Sequence, residues 1–287
     1  MPRLLDDSVI GENEKFLIYG YGGTGKTFSA LTMPPPIYTV VFGGENELKT
    51  MRSPDFRNKY PEMEGQVYFD NVQEELGEMG HFVSATAFDQ AGHLIDEALE
   101  QSRKGDLPEF KSLVIDSATG MRRFAMNKAM EVNYQRTADK GKAALTKLRE
   151  MNIIIPGDND YMSEMSLTMQ FMDWVFNLPM HLCVTTHVWV DKKFNRSTRE
   201  TEIISRMPLF TGNNRESVPT MFDNVWYFTT ATSGKSLVNR AQTVGDDDTF
   251  AKTRMGGVLP LNLSDVNFRD VIARFKNAES KIKARKK

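Results

Sequence analysis

The sequence lacks the features that mark a secreted, membrane-spanning or zinc-bound protein. It contains one cysteine, Cys183, so an intrachain disulfide is excluded, which suits a reducing cytosol. No apolar run approaches the roughly 20 residues that a membrane helix needs, and the first residues have no apolar signal-peptide core. No cysteine and histidine residues have zinc-ligand spacing, and no Ser/His/Asp triad signature is present. We therefore expect a cytoplasmic protein without membrane contact.

Charge and length limit the possibilities further. The chain has 36 lysine and arginine residues against 38 aspartate and glutamate residues, so its formal net charge of −2 does not demand a nucleic-acid partner. A length of 287 residues fits one large α/β domain. We predict a single domain over residues 1–275 and a basic tail over residues 276–287. Such a tail is typical of a solvated end, or of a contact with nucleic acid or an acidic partner.

Short apolar runs alternate along the chain with segments of helical character. The predicted buried strands are residues 16–19, 37–42, 113–115, 182–185 and 225–230. The predicted helices are residues 27–33, 88–99, 120–134, 165–176 and 268–275. Buried strands that alternate with helices predict an α/β fold in which a mainly parallel sheet is covered by helices on both faces.

A glycine-rich motif between the first strand and the first helix carries the strongest functional signal. It matches G-x-x-x-x-G-K-[ST] over Gly20, Tyr21, Gly22, Gly23, Thr24, Gly25, Lys26 and Thr27. Such a loop aims backbone N–H groups at phosphates, and the following helix adds a favourable dipole. We expect Lys26 to reach the β- and γ-phosphates and Thr27 to ligate Mg²⁺. The expected nucleotide-binding segment runs from Gly20 through Phe28.

A second acidic position follows an apolar strand. Asp116 ends the run Lys111-Ser-Leu-Val-Ile-Asp116, which has the form of a Walker B strand, so we expect Asp116 to hold the Mg²⁺. The residue after it is Ser117 rather than the glutamate that many ATPases carry there. The guanine-specificity motif N-K-x-D also fails at Asn127, since Ala129 and Met130 follow Lys128, which favours ATP over GTP.

Without a glutamate after Asp116, hydrolysis needs a base from elsewhere. Glu45, at the end of the strand that follows the P-loop helix, could orient and activate the attacking water. Glu47 is the alternative base, and an ordinary solvated loop is the alternative without catalytic function.

This order of motifs resembles the RecA-type recombinase superfamily. RecA-type proteins carry a catalytic glutamate in a Glu-x-x-Leu setting, and Glu45-Asn-Glu-Leu48 matches it. The chain also resembles a narrower group, phage-encoded RecA-like ATPases associated with single-strand annealing and recombination. Three segments carry this second resemblance: the strand end Thr186-His187, residues 219–226 and residues 251–256. The resemblance covers roughly residues 12 to 260 and implies a RecA-like ATPase core.

The resemblance also implies roles for later residues. His187 stands where RecA-type proteins place a γ-phosphate sensor, commonly glutamine, and a neutral imidazole could donate one hydrogen bond there; a structural histidine is the alternative. Lys252 and Arg254 resemble the late basic pair that reaches into a neighbour's nucleotide site. That role implies self-association into a ring or filament, whereas the alternative is an exposed basic loop.

Two locally basic segments are candidates for binding nucleic acid. Residues 136–149 are the first, and residues 192–206 follow the sensor position, where RecA-type proteins place a DNA-binding loop. Cations and an aromatic ring could track and stack a single strand. A solvated helix or hairpin face is the alternative for each segment. The candidates in the second are Lys192, Lys193, Phe194, Arg196 and Arg199.

Together these features predict an ATP- and Mg²⁺-dependent RecA-like ATPase that acts on single-stranded DNA. The expected process is annealing or strand exchange in phage recombination or replication, together with phage proteins of those processes, in the cytosol of the host. A RecA-like helicase or helicase loader is one alternative. A partner-driven nucleotide switch and a small-molecule kinase are the others.

Overall fold

The computed structural model of the chain describes residues 13–43, 49–50, 52–76, 82–138, 156–195, 199–233 and 236–285. The strands in these ranges are β1 (Lys15–Gly20), β2 (Ile37–Phe42), β3 (Val67–Val72), β4 (Glu75–Leu76), β5 (Phe82–Ser84), β6 (Ser112–Asp116), β7 (His181–Thr186), β8 (Val188–Asn195), β9 (Glu200–Pro208), β10 (Asn224–Ser233), β11 (Ser236–Gln242), β12 (Lys252–Thr253) and β13 (Asn262–Ser264). The α-helices are α1 (Lys26–Ala30), α2 (Pro54–Lys59), α3 (Ala87–Lys104), α4 (Ala118–Ala138), α5 (Asp158–Phe176), α6 (Asn214–Met221) and α7 (Phe268–Arg285).

The central sheet places the strand ends that matter for function next to one another. Its order is β13-β11-β10-β1-β7-β6-β2-β3, and β12 pairs with the start of β10. The six strands from β10 to β3 are parallel, and the strands beyond β10 are antiparallel. Strand β7 therefore lies between β1, which leads into the glycine-rich loop, and β6, which ends at Asp116.

Helices cover both faces of the sheet, because side chains alternate between the faces along each strand. Leu17 and Tyr19 of β1 pack in a cluster with residues of α3, α4 and α5. Phe16 and Ile18 of the same strand pack on the other face with residues of α1, α2 and α7. Both clusters consist of buried apolar side chains, so this double burial supplies the apolar free energy that holds the sheet in place. The predicted mainly parallel α/β fold is confirmed.

Several predicted boundaries need correction. Helix α1 ends at Ala30 rather than residue 33, and its last residues are followed by a turn before the prolines. Helix α5 begins at Asp158, where Asp160 bonds back to the Gly157 N–H and caps the helix well before residue 165. Helix α7 continues to Arg285, so the predicted helix end at residue 275 is wrong. The basic residues from Lys276 to Arg285 therefore extend a helix whose first turns are anchored in the core.

The described part of residues 192–206, where the resemblance implies a DNA-binding loop and the alternative is a solvated helix or hairpin face, lies in a β-hairpin. Strands β8 and β9 pair with each other outside the central sheet, and Lys193 lies opposite Glu202. Opposite charges on facing strands stabilise such a pair even where little apolar surface is buried. None of the helices in the described ranges is apolar over a stretch long enough to span a bilayer.

Candidate nucleotide site

The glycine-rich loop lies at the carboxyl end of β1. At two of its positions the structure explains why the residue is glycine, because a side chain would not fit there. A Cβ atom at Gly20 would lie 2.2 Å from the Phe228 carbonyl oxygen, because β10 runs directly beside this point. Gly25 caps α1 in the left-handed region at φ 81°, and a Cβ there would meet the Asn239 side chain. The chain thus reverses from strand to helix within a few residues, which leaves the N–H groups of the α1 start facing the loop.

Lys26 folds back over the loop that precedes it. Its ammonium group donates to the carbonyl oxygens of Gly20 at 3.0 Å and Tyr21 at 2.7 Å. The side chain is buried, whereas that of Tyr21 is half exposed. The Phe28 ring turns away from the loop and packs edge-on against Phe56, with ring centroids 5.2 Å apart. Of the expected binding residues, Lys26 is therefore positioned over the loop, and Phe28 contributes its side chain to the core.

Asp116 is a buried carboxylate that joins two strand ends. Its Oδ2 accepts a hydrogen bond from the Thr27 hydroxyl at 2.7 Å, and its Oδ1 accepts one from the Thr185 hydroxyl at 2.5 Å. No lysine or arginine of the described residues forms an ion pair with it. A buried carboxylate is costly without a cation, and carboxylate and hydroxyl oxygens are ligands that Mg²⁺ prefers. The donor set of Thr27 and Asp116 thus fits Mg²⁺.

A second threonine network ties the residue after β7 to the start of α4. The Thr119 hydroxyl lies 3.1 Å from the Thr186 hydroxyl and accepts a hydrogen bond from the His187 N–H at 3.0 Å. His187 itself is exposed at the carboxyl end of the sheet. The structure thus brings His187 to the same edge as the glycine-rich loop and Asp116, which is the placement that a sensor role requires.

The proposed base lies outside the described residues. Residues 44–48, which include Glu45 and Glu47, follow directly after β2 and Gly43. Strand β2 pairs with β6 and ends level with Asp116, since Val41 is the partner of Asp116. The role of Glu45 stays a prediction from the sequence.

Lys252 and Arg254 lie at the other end of the sheet. Lys252 pairs with Val225 at the start of β10, and its ammonium group donates to the Thr220 carbonyl oxygen at 3.0 Å. Arg254 forms an exposed ion pair with Asp223 at 2.7 Å. Because β10 and β1 are parallel, this pair is remote from the loop of its own subunit. Any contact of these two residues with a nucleotide must therefore involve a second subunit.

The β8–β9 hairpin begins one residue after His187 and presents an aromatic ring among cations. Phe194 is 57% exposed, and Lys192 and Lys193 precede it on the same strand. Arg199 directly precedes the return strand β9, while Arg196 lies outside the described residues. At the base of the hairpin the Arg215 guanidinium stacks on the Trp189 ring at 3.6 Å. In the other basic segment, residues 139–149 lie outside the described residues.

Sequence reasoning missed Thr185 and Thr119. Thr185 ends an apolar strand in a Thr-Thr pair, and Thr119 stands three residues after Asp116. Polar residues at strand ends were a usable signal. Their partners, however, depend on β7 lying between β1 and β6, and the local sequence does not encode that order.

Comparison with known proteins assigns the chain to a family. A family model described as an AAA domain matches residues 12–255, which is most of the chain. A search of curated proteins found no match.

Solved structures offer more distant likenesses. A KaiC-like protein from the hyperthermophilic archaeon Pyrococcus horikoshii OT3 is similar with a TM-score of 0.41 and 12% identity, over 79% of this chain and 76% of that chain. The flagellar accessory protein FlaH from Methanocaldococcus jannaschii is similar with a TM-score of 0.37 and 12% identity, over 88% of this chain and 87% of that chain. Likeness at these levels says nothing about what this chain binds.

Proposed function

Because the chain belongs to the family of AAA domains, we propose that it binds ATP with Mg²⁺, hydrolyses it, and couples hydrolysis to single-stranded DNA. The family supports nucleotide binding and hydrolysis at the P-loop. The observation that carries the proposal for the site is the pair of hydrogen bonds from Thr27 and Thr185 to Asp116, beside the buried Lys26.

The residues have distinct tasks in this proposal. The hydrogen bonds to the carbonyl oxygens of Gly20 and Tyr21 hold the Lys26 ammonium group over the loop. When ATP binds, Lys26 exchanges these oxygens for phosphate oxygens. Thr27 and Asp116 would hold Mg²⁺, and the ion, when bound, supplies positive charge to the phosphates. His187 stands where it could report loss of the γ-phosphate, and Glu45 is the proposed base for the attacking water.

The DNA part of the proposal rests on the β8–β9 hairpin. Exposed Phe194 among lysines offers a stacking surface and phosphate contacts for a single strand. The hairpin begins directly after His187, so strand β8 connects this surface to the proposed sensor. The process we propose is annealing or strand exchange in phage recombination or replication.

The test is the rate of ATP hydrolysis with and without single-stranded DNA, for the wild type and Lys26→Ala. We expect hydrolysis that DNA stimulates in the wild type, and no hydrolysis in the variant. Turnover that is indifferent to DNA would contradict the coupling and favour a small-molecule kinase or a partner-driven switch. A helicase would instead show ATP-dependent unwinding, and a loader would recruit a helicase.

Glu45→Gln separates an ATPase from a switch that hardly turns over. Amide replaces carboxylate at nearly constant size, so ATP binding should persist while hydrolysis falls by about 100-fold or more, the usual contribution of a general base. Glu47→Gln is the matched control. A Glu45→Gln protein that hydrolyses ATP at the wild-type rate would rule out Glu45 as the base.

A further inference from the structure

A large cavity opens beside the nucleotide site on the face of the sheet that α4 and α5 cover. Its volume is about 630 Å³, and its walls include the residues that follow three adjacent strands: Gly43 after β2, Ser117 after β6 and His187 after β7. The P-loop follows β1, which is the next strand along. A ligand in this cavity would therefore touch the same strand ends that carry Asp116 and the proposed sensor.

The charge of the cavity wall is positive. Arg122 and Arg123 both line it, and none of the described residues in its lining is an aspartate or a glutamate. Hydroxyl and amide groups of Ser117, Thr119 and Asn127 add hydrogen-bonding capacity. Two guanidinium groups in the wall favour an anionic ligand.

The two arginines are not equivalent. The Arg122 Nε donates to the Glu164 carboxylate at 3.3 Å, and the side chain of Glu164 is fully buried on α5. Arg122 therefore neutralises a charge inside the protein. Arg123 is exposed, and among the described residues it has no ion-pair partner; its guanidinium lies over the Phe124 ring at 5.0 Å. The positive charge available to a ligand is that of Arg123.

Aromatic and apolar surface lies in the same cavity. Tyr161, at the start of α5, is 44% exposed and lines the wall together with Met126 and Met130. A base can stack on an exposed aromatic ring while an arginine holds the adjacent phosphate. The volume is more than a single phosphate needs, which fits a nucleotide unit rather than a free anion.

We propose that this cavity binds one nucleotide unit of single-stranded nucleic acid, with Arg123 holding the phosphate and Tyr161 stacking the base. The inference rests on the proposed function and extends it. The bound single-stranded DNA would pass from the β8–β9 hairpin into a second binding site beside His187. Thr119 lies in the cavity wall and bonds both Thr186 and the His187 N–H. Single-stranded DNA bound in this cavity would contact residues next to Asp116, so its binding could directly affect the site of ATP hydrolysis.

The experiment measures fluorescence anisotropy of a labelled oligothymidylate with Mg²⁺ and ATP over a series of salt concentrations. The proteins are the wild type, Arg123→Gln, Arg123→Lys and Arg274→Gln. Arg274 is an exposed arginine of α7, on the opposite face of the sheet, so it controls for loss of one surface charge. Thermal unfolding of each variant verifies that it is folded.

We expect Arg123→Gln to bind about tenfold more weakly at low salt, as loss of one charge-assisted contact implies. The slope of log affinity against log salt should fall by about 0.7, the value for one phosphate contact of a single strand. Arg123→Lys should keep the wild-type slope, and Arg274→Gln should keep both affinity and slope. Equal affinity and slope for wild type and Arg123→Gln would overturn the cavity assignment and leave the proposed function standing.

A wild type that binds no oligothymidylate would overturn both the cavity assignment and the DNA part of the proposed function. The cavity would then fit the acceptor of a small-molecule kinase. Photo-crosslinking of an iododeoxyuridine oligonucleotide gives a second measurement. Crosslinks at Tyr161 would support the assignment, whereas crosslinks confined to the β8–β9 hairpin would contradict it.

Discussion

Asp116 shows how a single buried side chain can link two strands of the sheet to the helix that follows the P-loop. It ends β6, and its carboxylate is bonded by Thr27 after β1 and by Thr185 of β7. A carboxylate held from both sides keeps one orientation, which is what a metal ligand needs. Thr185 is thus a positioning residue behind the proposed Mg²⁺ ligand.

Thr185→Val should weaken the use of Mg²⁺. Valine keeps the shape of threonine but removes the donor to Asp116 Oδ1, and a hydrogen bond to a charged group contributes about 1.5–3 kcal/mol. We expect the Mg²⁺ concentration for half-maximal ATP hydrolysis to rise by about tenfold, because losing a hydrogen bond of this strength changes an equilibrium constant by at least that factor. Thr185→Ser, which keeps the hydroxyl, should restore the wild-type value. An unchanged Mg²⁺ requirement in Thr185→Val would show that this bond does not serve the metal.

The elements of the fold differ in how well they can be predicted from their sequences. Strands β1, β2, β6 and β7 are buried on both faces, so each is a short apolar run and was predicted within one residue of its ends. The β8–β9 hairpin is stabilised by pairing across the strands rather than by burial, so its sequence carries no apolar run that would predict two strands there. The sheet order requires long-range contacts, so the neighbours of Asp116 could not be predicted from local patterns.

Strand β7 begins with a histidine that makes the stability of the fold depend on pH. Burial disfavours the imidazolium, and the nearby positive charges of Lys276 and Lys15 act in the same direction, so that the pKa of His181 is lowered to about 4. The Nδ1 atom accepts a hydrogen bond from the Glu14 N–H at 2.8 Å, which requires that this nitrogen carries no proton. Because the pKa is depressed below its ordinary value of 6.5, the unfolded chain binds the proton first as pH falls.

The contribution of His181 to the free energy of unfolding is therefore complete above its ordinary pKa and is lost as pH falls towards 4. Between about pH 7 and about pH 5 we expect the free energy of unfolding to fall by about 2 kcal/mol through this group. His181→Asn keeps an acceptor for the Glu14 N–H but does not titrate. The decrease in its free energy of unfolding between the two pH values should therefore be smaller by that amount. Urea denaturation at both pH values measures the difference, and an equal fall in the two proteins would contradict this account.

For the whole molecule, the position of Arg254 bears on assembly. The residue lies near the start of β10, at the opposite end of the sheet from the P-loop, and its ion pair with Asp223 is exposed and therefore weak. We propose that it leaves Asp223 to reach the nucleotide of a neighbouring subunit in a ring or filament. A head-to-tail contact of this kind repeats the same surface pair at every interface.

Mixing two inactive variants tests this assembly. Lys26→Ala lacks its own P-loop cation and Arg254→Ala lacks the group offered to its neighbour, so each alone should hydrolyse ATP poorly. In an equal mixture about a quarter of the head-to-tail interfaces pair an intact P-loop with an intact Arg254, and activity should return in proportion. Asp223→Ala breaks the same ion pair without removing the arginine and is the control. Activity that stays absent in the mixture, or an active Arg254→Ala protein, would contradict a shared site.

The central claim is that the loop from Gly20 to Thr27 binds a nucleoside triphosphate with Mg²⁺, and calorimetric titration of ATP tests it most directly. The proteins are the wild type and Lys26→Ala, each with and without Mg²⁺. We expect the wild type to bind ATP more tightly when Mg²⁺ is present, and Lys26→Ala to bind at least about tenfold more weakly, since it loses charge-assisted hydrogen bonds to phosphate. Equal affinity in the two proteins, or no binding by the wild type, would contradict the account.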